Sequence, residues 1–166
     1  MKKKPLLLRA LAFSSTELEA LLGCAIKIMH ADNRVRLEEE CIINLFPSLL
    51  SIAKNDAVGE LKSEWRKKLI AASYAIKTDG TGSENNISYV RTHITDFTKR
   101  STSLVILFLI AGSDKHIDAR EISFIVNKIA KPWNYTVTEL IDILTEESEK
   151  IFIPETIINV LKLLQK

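Results

Sequence analysis

Four carboxylates stand at matched positions in two stretches of this chain. Asp32 and Glu39 occur in ADNRVRLEEE, residues 31–40, and Asp114 and Glu121 in SDKHIDAREI, residues 113–122, an offset of 82 residues from Asp32 to Asp114. Each pair is spaced Asp-x-x-[Val/Ile]-x-x-x-Glu, with Val35 and Ile117 as the β-branched members. Four carboxylates brought together could share one divalent cation, and His30 and His116 would add a nitrogen ligand suited to a transition metal. A conventional calcium loop is excluded. Its first and third ligand positions would be Ile28 and His30 in one copy and Ile110 and Gly112 in the other, where oxygen ligands are needed. The same residues also have a purely structural reading. Asp118 with Glu121 forms a capping-box pattern, and Asp32 and Asp114 suit helix-end turns. Capping alone, capping with a cation site, and a catalytic metal are the three readings the residues leave open.

The repeat extends beyond the carboxylates and shows what must position them. Leu22 aligns with Leu104, Ala25 with Leu107, Ile26 with Phe108 and Ile28 with Ile110 before the turn; Ile42 aligns with Phe124 and Ile43 with Ile125 after it. Each copy is an apolar helix, an acidic turn and an amphipathic helix, so the chain reads as two αα-hairpins in pseudo-equivalent halves. Period-3.6 patterning predicts helices over 16–31, 37–50, 57–77, 87–99, 101–113, 118–131, 138–150 and 154–165. The first is expected to open on Ser15 or Thr16 with Glu19, and the last on Pro154. Residues 79–86, DGTGSENN, read as the one clear loop.

Composition agrees. With 46% hydrophobic residues the 166-residue chain can bury one core, and with five glycines and four prolines it lacks the frequent turns of β-sandwiches and nucleotide-binding α/β folds. The expected fold is all-α, a single bundle of about eight helices, with residues 1–15 as an N-terminal extension and 16–166 as the helical domain. Lys2, Lys3 and Lys4 before Leu6, Leu7 and Leu8 resemble a secretory leader, but Arg9 interrupts the apolar run and no cleavage pattern follows. No stretch reaches the roughly 20 apolar residues of a membrane span. Cys24 and Cys41 fall in no CxxC arrangement and read as packed thiols, so a cytoplasmic location is expected.

Other constellations are weaker. A net charge of +2 is too small for a dedicated nucleic-acid binder, and Lys62, Arg66, Lys67 and Lys68 around Trp65 read as the solvated flank of a helix. Asp79 to Glu84 begins like a calcium loop but puts Glu84 at position 6 and Val90 at position 12. His93 has no nucleophile placed beside it by sequence, and Asp142, Glu146 and Glu149 form a solvated acidic face.

The two motifs resemble the signature of the TerB family of tellurite-resistance-associated proteins, an apolar helix ending in Ala-Asp-Gly-x-[Ile/Val]-x-x-x-Glu. The resemblance covers about residues 16–131. Asn33 and Lys115 stand where that family has glycine. It implies an all-α fold with two similar halves and a cation-binding patch at Asp32, Glu39, Asp114 and Glu121, to which ligand chemistry adds His30 and His116 as auxiliary positions. The function it implies is a non-enzymatic module of a bacterial stress or tellurite-resistance system. Such a module binds a divalent cation, a protein partner or both, including a membrane-bound partner, with no organic cofactor and no nucleic acid. The alternative is a small metal-dependent enzyme using the same carboxylates.

Overall fold

The computed structural model describes residues 9, 13, 14, 17, 20, 21, 23–25, 81–112, 119–149 and 153–165, with side chains from residue 87 onward in the first of the long stretches. No strand occurs among them. Five helices follow one another: α1 Thr81–His93, α2 Phe97–Ala111, α3 Ala119–Ile125, α4 Val137–Glu147 and α5 Glu155–Leu164. A π-helical turn, Val126–Ala130, continues α3. None of the described helices is long and apolar enough to cross a membrane.

Helix α2 lies at the centre. Residues 101–108, Ile110 and Ala111 are all buried, so beyond its exposed first turn the helix has no wet stripe, as expected of a segment enclosed by its neighbours. It packs against α3 and α4, while α5 packs on α4 and α3, and α1 packs on the π-helical turn. The polar groups this burial forces inward are satisfied. The Ser101 hydroxyl meets the Tyr135 hydroxyl at 3.0 Å, Ser103 donates to the Lys99 carbonyl at 2.7 Å, and Thr102 accepts from Arg9 at 3.3 Å.

The apolar members of the second repeat copy behave as their spacing predicts. Leu104, Leu107, Phe108, Ile110 and Ile125 are buried and Phe124 packs on the core at its edge. The first motif, residues 31–40, and the turn at 113–118 lie outside the described residues, and so does the pairing of the two hairpins.

Three boundaries differ from those the sequence predicts. Residues 81–86 are helical, not a loop, and open α1. Nucleating a helix is costly but extending one adds a hydrogen bond per residue fixed, so a helix anchored by buried Ile87 and Val90 propagates back through Gly82. Next, α1 ends at His93 and α2 begins at Phe97, where one helix was expected over 87–99. Asp96 makes the break: its backbone is extended and its side chain accepts from the Lys99 N–H at 2.9 Å, an N-cap. Finally, the N-terminal cap is Ser14 with Glu17. The Glu17 N–H donates to the Ser14 hydroxyl at 3.1 Å and the Ser14 N–H donates to the Glu17 carboxylate at 2.7 Å, the reciprocal capping box expected one or two residues later.

Glu17 also accepts from Lys99 at 3.2 Å, tying the N-terminal segment to α2. Burial pushes the Glu17 carboxyl up, but the Ser14 hydrogen bonds and the Lys99 ammonium outweigh it and hold the group below its usual 4.5. A carboxyl depressed in the folded state adds stability above its unfolded value, and that stability is lost as pH falls through the folded one. Thermal melts of the wild type and Glu17→Gln should therefore differ by a constant amount at neutral pH. The difference should shrink once pH drops below about 4.5; a gap that stays constant down to pH 2 would contradict the assignment.

Candidate functional site

Of the six residues the sequence marks for a cation, Glu121 alone is described; Asp32, Glu39, Asp114, His30 and His116 lie outside the described residues. Glu121 stands in the first turn of α3 and is 1% exposed. Its neighbours in α3, Ile122 and Ile125, are fully buried. Taking a carboxylate out of water is costly unless charge or hydrogen-bond donors compensate. Among the described residues no group of three His, Cys, Asp or Glu side chains is close enough to hold a metal ion.

The other candidates fall where surface chemistry puts them. Asp142, Glu146 and Glu149 are exposed, as their spacing predicts. His93 is exposed and stacks on Tyr89, with ring centroids 4.1 Å apart and planes inclined by 7°, while its Nδ1 lies 2.8 Å from the Thr92 hydroxyl.

Sequence reasoning missed a second site. A hollow of about 240 Å³ is lined by Thr95, Phe97, Arg100, Trp133, Asn134, Tyr135 and Glu139. One wall is the start of α2. The other is the reversal after the π-helical turn, whose five-residue hydrogen bond from the Lys131 N–H to the Val126 carbonyl measures 2.9 Å. The chain is turned by Asn134 at φ 65°, with the Tyr135 N–H donating to the Ala130 carbonyl at 3.0 Å and the Asn134 N–H to the Lys131 carbonyl at 2.8 Å. That pair of bonds is a Schellman closure, with asparagine in the left-handed position that glycine usually takes.

The reversal brings Trp133 and Tyr135 to the lining of the hollow. Trp133 is buried and its indole N–H donates to the Arg91 carbonyl at 3.1 Å. Arg100 lies over the Trp133 ring at 5.2 Å, and its Nε donates to the Ile94 carbonyl at 2.7 Å, so the guanidinium is held both by its face and by its edge. Phe97, 71% exposed, stacks on Tyr135 with centroids 6.0 Å apart. Burial raises the Tyr135 phenol above its usual value of 10, against opposing contributions from the Ser101 hydrogen bond and Arg100, with Glu139 adding to the rise. The phenol therefore stays neutral across the physiological range. The signal in the sequence was Trp-Asn-Tyr after Pro132, an asparagine able to close a helix between two aromatics.

No protein-family model, curated protein or solved structure matches the chain.

Proposed function

We propose that this chain is a non-enzymatic, TerB-like helical module that takes up a divalent cation, a protein partner or both through its two acidic turns. The observation that carries the reading is Glu121, the glutamate of the second motif, withdrawn from solvent in the first turn of α3. Support also comes from α2 and α3, which are the two helices that the second motif requires on either side of its turn. In this reading Asp32, Glu39, Asp114 and Glu121 supply the oxygen ligands and His30 and His116 assist, with the core side chains of α2 and α3 fixing where the turn emerges. The role in a stress or tellurite-resistance system belongs to the same proposal.

The test is thermal melting of the full chain with calcium, magnesium, manganese or zinc. A cation at 100 times its Kd stabilises a folded state by about 2.7 kcal/mol, roughly 5–10 °C for a chain of this size. The expected result is such a rise for at least one ion in the wild type, and no rise in Asp32→Ala/Asp114→Ala, with helical circular dichroism unchanged. If no ion moves the wild-type melting temperature, cation binding is refuted.

A further inference from the structure

The hollow between the start of α2 and the Trp133–Tyr135 reversal plays no part in the proposed cation site, and its chemistry is of a different kind. It carries one fixed positive group, one negative group and two stacked aromatic rings, around a volume of about 240 Å³. Volumes of about 300–1,000 Å³ serve drug-sized ligands, so the occupant is smaller.

Each wall restricts what fits. Arg100 spends its Nε on the Ile94 carbonyl and its face on Trp133, and among the described residues no carboxylate pairs with it. Its remaining donors form the planar fork that binds a carboxylate, and they are already immobilised, so little side-chain freedom is lost when one arrives. Glu139 uses one carboxylate oxygen, Oε2, to accept from the Thr136 N–H at 3.1 Å in the capping box of α4. That leaves the second oxygen to accept a hydrogen bond from an ammonium. Phe97 is far more exposed than a phenylalanine would be in a core, and with Tyr135 it offers a flat apolar surface to a third ring. Opposite charges flanking aromatic rings disfavour a simple anion or a simple cation and match a molecule that carries both.

We infer that this hollow binds a small zwitterion, a free α-amino acid with an aromatic side chain. Its carboxylate pairs with Arg100, its ammonium with Glu139, and its ring stacks against Phe97 and Tyr135.

The experiment is a titration of the full-length, ¹⁵N-labelled protein with L-phenylalanine, followed by the Trp133 indole and Asn134 amide resonances. Parallel titrations use 3-phenylpropionate, which lacks the ammonium, and phenethylamine, which lacks the carboxylate. Saturable shifts at both reporters at millimolar L-phenylalanine are expected, with each truncated probe binding at least tenfold more weakly. Glu139→Gln keeps the capping-box geometry, because glutamine also serves there. It should weaken L-phenylalanine at least tenfold and leave 3-phenylpropionate unchanged or tighter. Phe97→Ala, at an exposed position, should weaken all three probes without altering the melt, and Arg100→Gln should abolish the response to the two carboxylates. Absence of saturable shifts with L-phenylalanine, or equal binding of the three probes, overturns the inference. So does a response that survives in Arg100→Gln. Tighter binding of phenylpropionate than of phenylalanine to the wild type would overturn the assignment of Glu139.

Discussion

Replacing Arg9 by methionine is expected to cost about 3–5 kcal/mol, roughly 6–20 °C in melting temperature. Arg9 is 5% exposed and Glu147, at the end of α4, 2% exposed, and the guanidinium donates to the Glu147 carboxylate while also reaching the Thr102 hydroxyl of α2. One side chain from the N-terminal segment thus joins two helices far along the chain. The charges have left water together, so the loss of one leaves the other buried without that partner, which is where the cost arises. The pair itself carries no such premium. Replacing both ends by apolar residues of similar volume, Arg9→Met with Glu147→Leu, should recover most of the loss, because well-packed hydrophobic contacts can substitute for a buried ion pair. Denaturant melts of the two single variants and the double variant check this. A single-variant loss below about 1 kcal/mol would mean the pair behaves like a surface contact.

A second large effect is expected at Gly112, which caps α2. A methyl group placed there would overlap the Cδ1 atom of Ile157 in α5 and lie 3.1 Å from its Cγ1 and 3.2 Å from the Phe108 carbonyl oxygen. The backbone at Gly112, φ −96°, is open to any residue, so the demand for glycine is one of space. Gly112→Ala should destabilise by about 1–3 kcal/mol, the usual cost of overpacking. Ile157→Val removes the overlapping atom. Alone it should cost about 0.5–1.5 kcal/mol, yet in the Gly112→Ala background it should restore stability, a favourable coupling that a double-mutant cycle reads directly. Strict additivity of the two changes would show that α5 moves away from α2 instead.

Gly112 also shows how far the internal repeat can be pressed. Its counterpart in the first copy is His30, whose side chain is much larger. The two copies share their apolar spacing, yet the second is packed under α5 so closely that its turn must start with glycine. An alignment of the two stretches holds no trace of the α5 side chain that covers Gly112.

Helical periodicity was legible because it repeats: Leu140, Leu144 and Glu147 in α4, and Ile157 and Leu161 in α5, are buried at three- and four-residue intervals. Boundaries were less so. The reading of 87–99 as one helix carried the apolar spacing of Ile87, Val90 and Ile94 past its end, whereas Asp96 closes its own side chain onto Lys99 and starts a new helix. A capping aspartate competes with helix continuation through one local hydrogen bond, too small a signal to outweigh a long apolar stripe until the helices are packed. Residues 81–86 failed in the opposite sense, since local turn propensity yielded to a helix nucleated downstream.

Spacing along the chain suffices to make the described residues helical and to place the apolar faces of the C-terminal helices, because both depend on a short period. Packing alone joins Arg9 to both α2 and α4 and makes Gly112 yield space to Ile157. It also decided that Phe97, Arg100, Trp133 and Tyr135 surround one hollow. Those partners lie tens of residues apart, and no period or propensity records which surfaces meet once apolar burial has chosen how the helices pack.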